Sequence, residues 1–190
     1  MMKKRMNKLG IFFAGIVTCL LAINFIPNFF MYLIGCWQIG SWIGKIMEKL
    51  IEQLRTILGT NFGLYFKIHS YHWNIEGPNF IDYHTYLGEL YTQIFNNTDL
   101  IAEKLRMLGT YAPVSLMRMK EFSDIEEDTS IPQPRQMFQN LVVANDRYII
   151  HLRAGIVAAE AANEPAIGNF LQDILDQHQK HAWFLKSITK

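Results

Sequence analysis

From Leu50 onward the apolar residues recur every three or four positions. Leu50, Leu54, Ile57, Leu58, Phe62, Tyr65, Phe66 and His69 follow the i, i+3, i+4 rule of an amphipathic helix. The pattern predicts a helix from about Lys45 to "EGP", where Gly77 supplies a stop and Pro78 cannot continue it. A second helix is predicted over about Asn79–Leu108, carried by Tyr83, Leu87, Leu90, Ile94, Ile101, Leu105 and Leu108 and closed by Gly109. Residues 110–134 are a polar connection, in which "SLMRMKEF" can form a short helix and "SDIEEDTSIPQP" reads as loop. Two more long helices follow, over about Arg135–Asn163 and Pro165–Ile188, with Pro165 suited to a first helical turn. Alternating strand patterns are absent, so the expected class is all-α.

Two long helices, a long crossover and two further long helices give the connectivity of a ferritin-like four-helix bundle, with a short helix in the crossover. This domain is expected at residues 45–190. Residues 1–44 differ in composition. They open with Lys3, Lys4, Arg5 and Lys8, then carry no charged side chain from Leu9 to Gly44. Leu9–Ile26 alone makes a helix about 27 Å long, near the bilayer hydrocarbon thickness of about 30 Å. The first reading is a membrane anchor within residues 9–43, because such a run in water aggregates. The basic cluster keeps Met1 cytoplasmic; one span puts the domain outside, and a hairpin bent at Pro27 keeps it inside. A cleaved signal peptide, a lipoprotein box at Leu33–Cys36 and a domain starting at Met47 stand beside it.

A length of 190 residues suffices for one domain with a full core. The net charge of +1 provides no overall basic field for nucleic acid. Both cysteines, Cys19 and Cys36, lie in the apolar stretch, so residues 45–190 hold neither a disulfide framework nor a thiolate metal site. This fits a reducing, cytoplasmic setting for the domain without requiring one.

Candidate chemistry centres on "YHWNIEGPNFIDYH", Tyr71–His84. His72, His84, Asp99 and Glu103 combine imidazole and carboxylate, a set that suits iron, manganese or zinc. At about 100° per residue, His84, Asp99 and Glu103 fall on one stripe of the second helix, but His84 and Asp99 lie about 22 Å apart along it. Metal–ligand bonds are about 2 Å long, so one ion cannot touch both within a chain. Either the two ends serve different purposes, or an antiparallel second copy completes the site across a two-fold axis. The rival reading is that these histidines are core or interface residues bonded to carbonyls.

"FKIHSYHWNIEGPNFIDYHTYLGELY" followed by "DLIAEKLRMLG" resembles the Dps family of ferritin-like proteins, the miniferritins, over about Ile46–Ile188. The resemblance implies that His72 and His84 are ferroxidase ligands from one subunit, and Asp99 and Glu103 ligands from its two-fold mate. It implies oxidation of Fe²⁺ by hydrogen peroxide or dioxygen, ferric storage, and a hollow dodecamer. Trp73 would be a redox neighbour of the site; its plainer role is a large interface aromatic. "HQKHAWFL", His178–Leu185, is similar to the family's C-terminal helix.

The chain departs from the family pattern in three places. The family's further carboxylate, four residues after the second His, is replaced by Gly88. Gln179 stands where an acidic residue is common, and the basic tail with which some members bind DNA is not visible. A shell or DNA-compacting protein with a degenerate iron site, membrane-tethered or not, is therefore the alternative. His69 reads as a core residue or a support for His72. His178 and His181 read as an ordinary polar face, and the absence of paired Glu-x-x-His motifs argues against a di-iron site inside one bundle. Glu121, Asp124, Glu126, Glu127 and Asp128 read as a solvated acidic loop.

Overall fold

The computed structural model describes the backbone from residue 8 and the side chains from residue 41. The described residues contain five helices: α1 (Lys8–Asn74), α2 (Phe80–Met107), α3 (Leu116–Phe122), α4 (Pro134–Ala161) and α5 (Pro165–Ile188). The chain divides into two compact units, Met1–Lys45 and Ile46–Lys190. The apolar run expected to act as an anchor lies almost wholly outside the residues whose side chains are described. Among the described residues, no helix is long and apolar enough to cross a membrane.

Within Ile46–Lys190, helix ends coincide with local stop signals. Gly77 and Gly109 adopt φ of +106° and +78°, the left-handed region that ends helices with least strain in glycine. Pro134 and Pro165 occupy first-turn positions of α4 and α5, where the missing N–H has no helical partner to lose.

The helix order around the core follows from cross-helix contacts. Asn61 bonds to Ile94 and Thr98, so α1 and α2 run antiparallel with His72 opposite His84. Gln53 donates to the His151 carbonyl and Asn140 to the Tyr71 hydroxyl, making α4 antiparallel to α1. Gln93 meets Gln177 from α2 to α5, and Asn145 meets His178 from α4 to α5. Since α2 and α4 both oppose α1, they are parallel to each other. The crossover must therefore return the chain the length of the bundle, which is the ferritin-like topology.

The core face of α1 is Leu50, Leu54, Ile57, Asn61, Leu64, Ile68 and Tyr71, all buried, and Ile75 just beyond the helix is buried too. This corrects the stripe read from sequence beyond Leu58. Phe62, Tyr65 and His69 are only half-buried and Phe66 is exposed. The helix is apolar on two faces, so periodicity alone did not separate the core face from the outer one.

The acidic crossover is also less free than the sequence suggests. Asp128 accepts from Lys67 and from the Tyr71 hydroxyl, each at 2.5 Å. Glu126 pairs with Arg147, Glu127 with Lys120, and Asp124 with His151. The contacts of Asp128, Glu126 and Asp124 seat the loop after α3 on α1 and α4. Contact is tight at Gly59, where a Cβ would lie 2.7 Å from the Met119 carbonyl oxygen and from Phe122. Gly59→Ala is expected to cost about 1–3 kcal/mol by overpacking, partly offset by about 1 kcal/mol of helix propensity. A lowered urea midpoint in equilibrium unfolding checks this; an unchanged or raised midpoint refutes it.

Candidate metal centre

Two histidines meet where α1 ends and α2 begins. The Gly77 turn, with Phe80 N–H donating to the Gly77 carbonyl at 3.0 Å, folds α2 back along α1. His72 Nδ1 donates to the His84 carbonyl at 2.8 Å, and His84 Nδ1 donates to the His72 carbonyl at 2.9 Å. The rings stack with centroids 3.7 Å apart and planes 23° apart. A carbonyl oxygen only accepts, so each Nδ1 donates, and Nε2 is the nitrogen of each ring left to meet a metal ion. Fixing the tautomer through the opposite ring nitrogen is how proteins orient metal-binding imidazoles. The clasp also satisfies one of the carbonyls left open at the C-terminus of α1.

Asp99 and Glu103 lie further along α2 and are exposed. The structure does not bring them to the histidines. Among the described residues, no three His, Cys, Asp or Glu side chains gather to hold a metal ion. One chain thus presents an imidazole pair at one end of α2 and a carboxylate pair about 22 Å along the same helix.

Aromatic rings surround the histidines. Tyr91, seven residues after His84 and on the same side of α2, meets the His72 ring edge-on at 5.1 Å and stacks on His69 at 4.0 Å. Sequence reasoning did not single out Tyr91; its heptad spacing from His84 was the available signal. His69 is hydrogen-bonded to the Tyr65 hydroxyl at 3.1 Å, and its pKa is lowered by burial and then by the charge of His72. Trp73 lies 4.1 Å from His69 with 59% of its surface exposed. Exposed Phe66 meets the Trp73 ring edge-on at 6.4 Å, and exposed Phe95 meets Tyr65 at 5.0 Å, so exposed aromatic residues flank the histidines on α1 and α2, a feature that marks an interaction surface.

Gly88 sits one turn beyond His84. A Cβ built there would lie 3.3 Å from His72 Cε1 and 3.5 Å from His72 Nδ1. The His72 ring therefore packs directly over the glycine.

His178 and His181 are not a polar face. Both are buried in α5, and burial holds their pKa values down at about 3 and about 4. His178 Nδ1 donates to Asn145 Oδ1 at 2.7 Å, while its Nε2 and both nitrogens of His181 have no hydrogen-bond partner among the described residues. The buried positions Ile167, Leu171, Ile174, His178, His181 and Leu185 alternate spacings of four and three. The histidines continue that apolar series, and this was the signal for their burial.

A ferritin-like domain family matches residues 51–190. The chain is 30% identical over 147 residues to the DNA protection during starvation protein of Brevibacillus brevis, covering 75% of this chain and 99% of that protein. It is 31% identical over 165 residues to antigen TpF1 of Treponema pallidum, covering 83% of this chain and 89% of the relative. The crystal structure of a Dps protein from Bacillus brevis superposes with a TM-score of 0.74 at 27% identity, covering 77% of this chain and 98% of that one. With a bundle of this topology and a family match over most of its length, the chain belongs to the Dps family of ferritin-like proteins.

Proposed function

We propose that this protein is a miniferritin that binds Fe²⁺ at sites shared between two copies, oxidises it with hydrogen peroxide or dioxygen, and stores the ferric product inside an oligomeric shell. The observation that carries the proposal is the reciprocal clasp: two imidazoles whose Nδ1 atoms are held by carbonyls, leaving Nε2 of each ring for a metal ion, beside exposed aromatic residues. Asp99 and Glu103 share that helix and that exposed side but are too distant to serve their own histidines. An antiparallel second copy of α2 brings them opposite His72 and His84, twice per dimer. The dodecamer follows from family membership.

The donor set explains why binding promotes oxidation. Two carboxylates lower the energy of Fe³⁺ more than that of Fe²⁺, because the Coulomb attraction grows with the charge of the ion. Neutral imidazoles complete the set without adding repulsion. Trp73, close to His69 and hence to the site, is placed to give up an electron to a stray oxidising equivalent. Gly88 favours one rival, a Dps-shaped shell whose iron site has weakened; an intact assembly that binds no iron above background would support it.

Mixed assembly tests the shared site. His72→Ala/His84→Ala and Asp99→Ala/Glu103→Ala are each expected to slow Fe²⁺ oxidation about tenfold or more. When the two variants are unfolded together and reassembled, half of the dimers are mixed. Each mixed dimer carries one intact site, so about a quarter of the wild-type sites return. Full activity in either variant alone, or no recovery on mixing with assembly intact, refutes the shared site.

A further inference from the structure

We propose that α4 carries a self-association face of its own, through which it pairs antiparallel with α4 of another copy of this chain. The inference is independent of the metal site. It starts from a stripe of α4 that no described residue covers.

At about 100° per residue, α4 has two distinct sides. Leu141, Ala144, Tyr148, Leu152, Gly155 and Ala159 are buried toward the bundle core. On the opposite side Val143, Ile150 and Val157 recur every seven residues, drifting by only about 20° per step. They are 55%, 64% and 63% exposed. Single exposed apolar residues are ordinary. A straight row about 21 Å long is a seam on which a second helix can dock. β-Branched residues at one heptad position suit two-stranded packing. Ala154 and Ala161, exposed along one edge of the row, let a second helix axis come close. The row lies across the bundle from the exposed stripe of α2 that carries Asp99 and Glu103, because α2 and α4 each pack on both α1 and α5.

The charges beside the row identify the occupant. Asp146 and Arg153 lie seven residues apart along its other edge. Arg153 is exposed and has no ion-pair partner among the described residues. Asp146 pairs with Lys186 at 3.0 Å and keeps 46% of its side chain exposed. A two-fold axis crossing the row at Ile150 sets that residue beside its own copy, and Val143 beside Val157 of the second copy. The same axis sets Asp146 beside Arg153 of the second copy, and Arg153 beside its Asp146. On the other edge Arg147 meets Ala154, so no like charges face each other. Parallel pairing instead places Asp146 on Asp146 and Arg153 on Arg153. The charges therefore select antiparallel pairing of α4 with itself.

Each exposed ion pair contributes little to affinity, so its role is to fix direction and register. One helix pair is also a small contact. Copies gathered in an assembly present many such faces at once, and multivalency turns weak pairing into a stable one.

Disulfide trapping in the full chain, with Cys19→Ser and Cys36→Ser as background, tests the pairing. Sulfurs join only where Cα atoms approach within about 7 Å. The yield therefore reports which residues meet, whatever else draws copies together. Under mild oxidation Ile150→Cys is expected to cross-link with itself several-fold more than Asn169→Cys, at an exposed position of α5. Val143→Cys/Val157→Cys is expected to cross-link between copies, and neither single change to do so. In the Ile150→Cys background, Asp146→Arg and Arg153→Asp are each expected to lower the yield toward the control. Reassembling those two variants together is expected to restore at least about half of it, because half of random pairs are mixed and face opposite charges again. An Ile150→Cys yield no higher than that of Asn169→Cys overturns the proposal. So does Val143→Cys alone cross-linking as well as Val143→Cys/Val157→Cys, the sign of parallel or random contact. Yields unmoved by the charge changes overturn the role of Asp146 and Arg153.

Discussion

Acidification from pH 7 to pH 5 is expected to remove about 4 kcal/mol of folding stability per chain through His178 and His181 alone. Unfolded, each imidazole takes up a proton as the pH falls through about 6.5. Folded, burial holds them at about 3 and about 4, and the two rings further disfavour charge on each other or beside Lys180. The unfolded state therefore binds up to two more protons than the folded state between about pH 6 and pH 4. The folded pKa values are depressed, so this stability is complete above the unfolded pKa and is lost as the pH falls. The slope near pH 5 approaches about 2.7 kcal/mol per pH unit. No carboxylate is among the causes of either shift, so no ion pair offsets the loss. Urea unfolding of the wild type and of His178→Leu/His181→Leu at pH 7, 6 and 5 measures it. The variant should show a much flatter dependence, whatever its stability at pH 7. Parallel profiles would mean that other groups dominate the acid transition.

The same histidines show what sequence reading reaches and where it stops. Helix ends were legible because their causes are local: Gly77 and Gly109 need only their own φ, and Pro134 and Pro165 only their own ring. The core positions of α2 were legible because Leu87, Leu90, Ile94, Ile101 and Leu105 keep an unbroken helical spacing, although Phe95 and Leu100 of the same helix are apolar and exposed. On α1 both faces are apolar, so Phe66 and Leu64 could be told apart only by what packs against them. His178 and His181 are polar by residue type but core by position, and type was allowed to outweigh their place in the Leu171–Leu185 series. At the candidate site, the separation of His84 from Asp99 needed only helix rise and was read correctly as too long for one chain. The carbonyl clasp between His72 and His84 was not legible, because it depends on the register of two helices across a turn. The seat of His72 on Gly88 was hidden for the same reason; from the sequence, the glycine was only a missing carboxylate.

That register is set partly by a buried polar contact, and breaking it should be the most costly single change in the core. Asn61→Leu is expected to destabilise the fold by about 3–5 kcal/mol. Asn61 is fully buried where α1, α2 and α4 meet. Its Nδ2 donates to the Ile94 carbonyl at 3.0 Å and to the Thr98 hydroxyl at 2.9 Å, and its Oδ1 accepts from the Tyr148 hydroxyl at 3.1 Å. Leucine fills nearly the same volume, so cavity formation adds little. The cost comes from three lost hydrogen bonds and from a Tyr148 hydroxyl stranded without an acceptor, at about 1–3 kcal/mol for such a group. Burial already pushes that phenol well above its usual pKa, so it cannot escape by ionising. Removing the stranded group as well should recover part of the loss. The double variant Asn61→Leu/Tyr148→Phe should be more stable than Asn61→Leu, and less destabilised than the sum of the single changes by about 1–2 kcal/mol. Additive effects would show that Asn61 and Tyr148 do not act as a pair. Asn61 lies three helical turns before His72 on α1, and its bonds to Ile94 and Thr98 fix how α2 lies against that helix. The variant should therefore also loosen the clasp, which amide exchange at Ile75 and Phe80 and the Co²⁺ affinity of the assembled protein would register together.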